Sequence, residues 1–176
     1  MNKSLNIDDL TTDTKINGVD IHIRPINPED MIREKEFVER LSPESRHFRF
    51  LGGVQHLTDK AAKELCEIDF DKRMAFIALI KDASGNEQEI GVSRYATDND
   101  GNCESAVTVA DQWQNHGLGR LLMDKLINFA REKGKKNLYS LDFANNTHMH
   151  QLANDLGMKR FHDPDDGSLV HYQLAL

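Results

Sequence analysis

Gln114-Asn115-His116-Gly117-Leu118-Gly119 is a glycine-bearing turn set directly ahead of an amphipathic stretch. Glycine at 117 and 119 removes the side chains that would hold a ligand away from the backbone. The first turn of a helix offers unpaired N–H groups and a partial positive charge. Together these features make a seat for a phosphorylated ligand. The run ahead of the turn, Ala106-Val107-Thr108-Val109-Ala110, suits a strand. Behind it Leu118, Leu121, Leu122, Leu126 and Phe129 recur at helical spacing, with Arg120, Asp124, Lys125, Asn128 and Arg131 between them. A dinucleotide fingerprint would need glycine at 122, where Leu122 stands, and the P-loop lysine pattern is absent.

Other chemistry is less well supplied. The chain has eight histidines, but His148 and His150 stand two apart, which on a helix points them in different directions. Neither they nor His162 and His171 have the i, i+4 spacing or the cysteine partner that zinc prefers, so no metal is expected. The two cysteines, Cys66 and Cys103, make neither a disulfide framework nor a metal pattern and fit a reducing, cytoplasmic setting. A net charge of −7 argues against nucleic acid, whose affinity comes from neutralised phosphates, and is compatible with a cationic substrate. No run reaches the length of a membrane span and no secretory leader is visible at Met1, so no membrane partner is expected.

The elements that must position the turn read clearly. Residues 1–17 are polar and patternless and read as a flexible arm, leaving 18–176 as a single domain. Val19 to Arg24 alternates as a strand until Pro25. A helix follows over Asp30 to Leu41. A second opens at Ser42-Pro43, a capping serine with proline at the first helical position, and stops at Gly52-Gly53. Thr58 to Cys66 is a third. Strands over Met74 to Lys81, Glu89 to Ala96 and Cys103 to Val109 are separated by the turns at Ser84-Gly85-Asn86 and Asp98–Asn102. After the main helix, closed by Gly134, come a strand over Asn137 to Phe143 and a helix over Asn146 to Leu156. Closing strands span Met158 to His162 and Ser168 to Leu174. The fold class is α/β (α+β): a mixed, mostly antiparallel central sheet of about seven strands with helices on both faces.

On these residues the chain resembles the GNAT N-acetyltransferases. Gln114 to Gly119 is similar to their Q/R-x-x-G-x-G/A signature, with a strand before it and a long helix after. Asn146, Leu152, Leu156 and Gly157 are similar to their N-x-x-A-x-x-L-Y-x-K-x-G-F segment. Leu41–Phe50 and Val109–Gln114 resemble the acetyltransferase domain of bacterial Pat-type protein lysine acetyltransferases.

The resemblance implies acetyl-CoA as cosubstrate. It assigns Gln114, Asn115, His116, Gly117, Leu118 and Gly119 to the pyrophosphate, with Arg120 placed to add charge. Backbone groups around Val107 and Val109 would serve the pantetheine arm, and Asn146 either that arm or the start of its helix. The acceptor it implies is an amine, a protein lysine or a small molecule, and either a monomer or a homodimer fits. Such an amine stays charged to about pH 10, so the reaction needs a base. Glu104, at the position where the Pat-like group carries a glutamate base, is the candidate, with a solvent-facing strand residue as the plain alternative. Many relatives carry a tyrosine as general acid where this chain has Ala153. Tyr139, His148 and His150 are substitutes by location only. Against an N-acetyltransferase acting by direct attack in a ternary complex stands a non-catalytic acyl-CoA-binding sensor or scaffold.

Overall fold

The computed structural model describes residues 6–53 and 56–176. Its centre is β3 (Arg73–Lys81), whose unbroken apolar run is explained by burial on both faces. Met74, Phe76 and Ala78 join one core and Ala75, Ile77 and Leu79 the other. Around it the strands β1 (Thr12–Ile16), β2 (Val19–Pro25), β4 (Glu87–Thr97), β5 (Cys103–Val109), β6 (Asn137–Phe143), β7 (Lys159–His162) and β8 (Leu169–Ala175) complete one eight-stranded sheet in the order β1-β2-β3-β4-β5-β6-β8-β7. Every neighbouring pair is antiparallel except β5 with β6.

The expectation of an arm over residues 1–17 needs correction. Residues 1–5 lie outside the described residues, but Thr12–Ile16 is a strand whose partner is β2, from Thr12–Ile23 to Ile16–Val19. Its alternation is present in the sequence, but threonines stand where apolar residues usually announce a strand. The stronger signal was the turn. Asn17 and Gly18 both have positive φ, 50° and 81°, the conformation that an Asn-Gly hairpin turn requires.

Helices cover both faces. On one side α1 (Met31–Arg40), α2 (Pro43–Arg49) and α3 (Asp59–Cys66) follow one another. Phe37, Val38, Leu41, Ala62 and Cys66 fill the core between α1, α3 and the sheet. This face also hides charge. Glu34 of α1 is buried and paired with Arg94 of β4 at 2.7 Å. Beside it Glu89 is 1% exposed, and burial together with the Glu34 charge pushes its carboxyl well up.

On the other side lie α4 (Leu118–Glu132) and α5 (Thr147–Asp155). Leu118, Leu122, Met123, Leu126 and Phe129 of α4 are buried against the sheet. Each such side chain is worth about 1.5–3 kcal/mol relative to exposure. Gly91 of β4 permits this approach. A Cβ there would lie 3.0 Å from Leu122 Cδ1, 3.3 Å from the Thr108 carbonyl oxygen and 3.4 Å from Leu118 Cδ2. Gly91→Ala is therefore expected to cost about 1–3 kcal/mol, read as a lower urea midpoint. A midpoint equal to the parent's would show that α4 has slack over the sheet.

Candidate active site

β5 and β6 pair at only two positions, Cys103 with Leu138 and Glu104 with Tyr139. Ser105 Oγ donates to the Tyr139 carbonyl oxygen at 3.1 Å, and beyond that link the strands part. β5 stays joined to β4 on its far edge as far as Val109, and β6 stays joined to β8 as far as Phe143. The facing edges of residues 106–109 and 140–143 therefore have no strand between them. Residues 106–109 and 140–142 wall a cleft of about 610 Å³ that also takes in Ser45, Phe48 and Arg49 of α2, the glycine turn and the first turn of α5.

The turn sits at the mouth of this cleft. Asn115 and Gly117 both hold positive φ, 61° and 84°. Gly117 is the N-cap of α4, and no side chain caps that helix, so the N–H groups of its first turn are left for a ligand. Gln114, Asn115, Gly117, Gly119 and Arg120 line the cleft. The side chains of two of the expected residues do not turn toward it. The Leu118 side chain is buried in the core, and His116 is exposed, with Nδ1 3.1 Å from Asn17 Nδ2 on the β1–β2 turn. Gln114 acts as a brace, its Nε2 donating to the Val109 carbonyl oxygen at 3.1 Å and to Ser45 Oγ at 3.2 Å. Arg120 is also engaged, donating from Nε to Asp124 and from Nη1 to the Asp155 carbonyl oxygen at 2.8 Å. It ties α4 to the end of α5.

On β5, Val107 and Val109 line the cleft. On the opposite wall Asn146 is 9% exposed and caps α5, its Oδ1 accepting from the Met149 N–H at 3.2 Å. Its Nδ2 donates to Asp142 Oδ2 at 3.0 Å, and the Phe143 N–H donates to Asp142 Oδ1 at 2.7 Å. Asp142 was not singled out in the sequence. Burial pushes its carboxyl up to about 6, against the pull of these two hydrogen bonds. The neighbouring Ser140 is 5% exposed, lines the cleft and has an unpartnered hydroxyl.

Glu104 stands apart from the main cleft. It lines a second chamber of about 200 Å³ on the α3 side of β4 and β5, with Arg49, Arg94, Leu65 and Ile68. The two cavities share Arg49, Ser105 and Ala106. Tyr139 is paired with Glu104, and burial and the Glu104 charge push its phenol up, so it is a donor at neutral pH. Ala153 is wholly buried in the core and brings no acid to the cleft. His148 lines the cleft, whereas His150 lies between Asn154, Arg160 and the Tyr172 ring. Among the described residues no three His, Cys, Asp or Glu side chains converge as a metal site would require, and no helix is long and apolar enough to cross a membrane.

A further cluster, also missed in the sequence, fastens α2 to the glycine turn. Asp111 accepts from the Ser42 N–H at 2.9 Å, the Ser42 hydroxyl at 2.6 Å and the Ser45 hydroxyl at 2.7 Å. Burial would raise the Asp111 carboxyl, but these donors outweigh it and hold it below its ordinary value. The capping role of Ser42 was legible locally, and its Oγ accepts from the Ser45 N–H at 3.1 Å. Its partner Asp111, on the short turn Asp111–Trp113 ahead of the glycines and distant along the chain, was not.

Comparison with known proteins agrees with this geometry. A family model described as the acetyltransferase (GNAT) family matches residues 37–158. A Pseudomonas aeruginosa protein named an acetyltransferase is 44% identical over 160 residues, spanning 90% of this chain and 86% of its own. The crystal structure of the GNAT domain of S. lividans PAT has a TM-score of 0.85 at 23% identity, covering 98% of this chain and 100% of that one. The ribosomal-protein-S5-alanine acetyltransferase from Vibrio fischeri has a TM-score of 0.71 at 12% identity, over 94% of this chain and 96% of its own. At these identities the two structures show a shared fold.

The raised Asp142 carboxyl has a measurable consequence. Between its ordinary value of 3.8 and its folded value of about 6, the native state holds more protons than the unfolded chain. This residue therefore makes stability fall as pH climbs from about 4 to about 6. Asp142→Asn removes that component. Its unfolding free energy minus the parent's should rise across this window and level off above about pH 7, read by urea melts at fixed pH. A difference independent of pH would mean that Asp142 titrates as an ordinary exposed carboxylate.

Proposed function

The chain belongs to the GNAT acetyltransferase family, and from that premise we propose that it transfers the acetyl group of acetyl-CoA to an amine by direct attack in a ternary complex. The observation that carries this reading is the parting of β5 from β6 beside an uncapped helix N-terminus. An extended arm bearing amides fits between two unpaired strand edges, and a pyrophosphate fits the first turn of α4. Bound there, acetyl-CoA supplies an activated thioester. The N–H groups from Gly117 to Arg120 hold its phosphates. The β5 edge around Val107 and Val109 aligns its arm, and Asn146 keeps the opposite wall in place by capping α5. A backbone N–H near Val109 stabilises the negative charge that develops on the carbonyl oxygen.

Glu104 lies where an amine entering from the second chamber would meet the far side of β5. Its carboxylate takes the proton as the C–N bond forms and the C–S bond breaks, the electron pair leaving with sulfur. A buried alanine at 153 means that the thiolate departs without a tyrosine donor at that place.

The test is thiol release from acetyl-CoA with a panel of amines and lysine peptides. Stoichiometric thiol with N-acetylated product supports transfer. Stabilisation by acetyl-CoA with no thiol released on any acceptor would instead mark a binding module. In an active preparation Glu104→Gln should lower kcat by about 10²–10⁴-fold and flatten the rise of rate with pH. A profile like the parent's would remove Glu104 as base.

A further inference from the structure

Arg49, the last residue of α2, is the one charged side chain that both cavities share. Its guanidinium lies 4.9 Å from the Phe50 ring, and among the described residues no hydrogen bond or ion pair engages it. A half-buried guanidinium with five donors and no protein partner leaves those donors to water or to a ligand in the cavities it lines. Arg94 stands beside it with a similar shortfall. Its Nη1 donates to the Leu65 carbonyl oxygen at 2.9 Å and its Nη2 to Glu34 at 2.7 Å, but its Nε is buried and unpartnered. Burial and the Arg94 charge push Arg49 down to about 10, with Glu34 and Glu104 pulling the other way, so it is still a cation at neutral pH.

The chamber around these groups has the size of a small acceptor, about 200 Å³, and it meets the main cleft at Ser105 and Ala106. Two carboxylates line it, Glu67, which faces Lys63 at 4.0 Å, and Glu104, which has no such cation and suits an amine. Of its guanidiniums Arg94 is paired with Glu34 and Arg73 donates to the Glu64 carbonyl oxygen, which leaves Arg49 as the one whose donors have no partner among the described residues. We propose that this chamber is the acceptor site and that it selects amines bearing a carboxylate, which the Arg49 guanidinium grips with paired N–H donors. The amine of such a molecule lies toward Glu104 and the β5 edge while its carboxylate lies on Arg49. This inference rests on the acetyl-transfer reading and adds the acceptor class to it. The carboxylate has two possible sources, a free aminocarboxylate or an acidic residue next to a peptide lysine.

Acceptors differing by one carboxylate decide the matter. Lysine is compared with cadaverine, and a blocked lysine peptide with a neighbouring aspartate is compared with its asparagine counterpart. Each pair is assayed for thiol release and also titrated calorimetrically against protein saturated with CoA. The carboxylate-bearing member of one pair should bind and react about ten- to a hundredfold better, the pair that discriminates naming the source. In Arg49→Gln that ratio should fall to within about twofold, and in Arg49→Lys it should lie between, because an ammonium cannot offer the paired grip. Equal affinity within both pairs for the parent protein overturns the proposal without any variant being made. So does a preference that survives in Arg49→Gln, or a Glu104 pH profile that shifts in that variant while the ratio does not. A carboxylate preference in binding with no thiol released leaves the acceptor class standing and removes the transfer reading.

Discussion

Everything at this site depends on two parallel strands that cannot stay together. β5 and β6 hold to each other through two residue pairs and then diverge, and a diverging sheet leaves N–H and C=O groups that must find partners elsewhere. Gln114 satisfies one of them, the Val109 carbonyl, with its own side chain. The rest of the edge is available to an extended ligand carrying amide groups of its own. The parting also sets where the chain goes next. β5 runs straight into the glycine turn and α4, and β6 into the Asn146 cap and α5, so both helix starts converge on the opening.

The cleft and the smaller chamber adjoin along β5, where they share Arg49, Ser105 and Ala106. The two substrates proposed to meet here thus face one strand, which carries Val107 and Val109 in the cleft and Glu104 in the chamber. Such an arrangement needs no moving lid to bring donor and acceptor together. It needs two rigid walls, and the buried faces of α4 and of α1 with α3 provide them.

Much of this was legible in the chain because the signals were local. The glycine turn, the Ser42-Pro43 helix start and the Asn137–Phe143 strand each follow from neighbours within a few residues. The first strand was missed because two of its three inward positions, Thr12 and Thr14, are threonines, and the Asn17-Gly18 turn was the stronger signal. Tertiary partners were out of reach. Nothing near Asp111 in the sequence points to Ser42 and Ser45, and nothing near Arg120 says that the Asp155 carbonyl will take its donor. Asp142 and Arg49 look like ordinary surface charges until the strands beside them part. Their character comes from what surrounds them, which spacing along a chain does not encode.

The bond set around Asp111 also bears on how such a scaffold can be remodelled. Ser42, Ser45, Asp111 and Gln114 are a single fitting: the capping serine and a first-turn serine of α2, and a carboxylate and an amide on the chain leading into the glycine turn. Changing one of the four leaves its counterpart with an unmet hydrogen bond. The opening of α2 is therefore fastened to the chain ahead of the glycine turn, whereas Arg49 at its last turn has no hydrogen-bond or ion-pair partner among the described residues. Under the proposed acetyl-transfer reading, an exchange at the Arg49 end of this short helix alters the acceptor chamber while the bonds at its other end stay as they are.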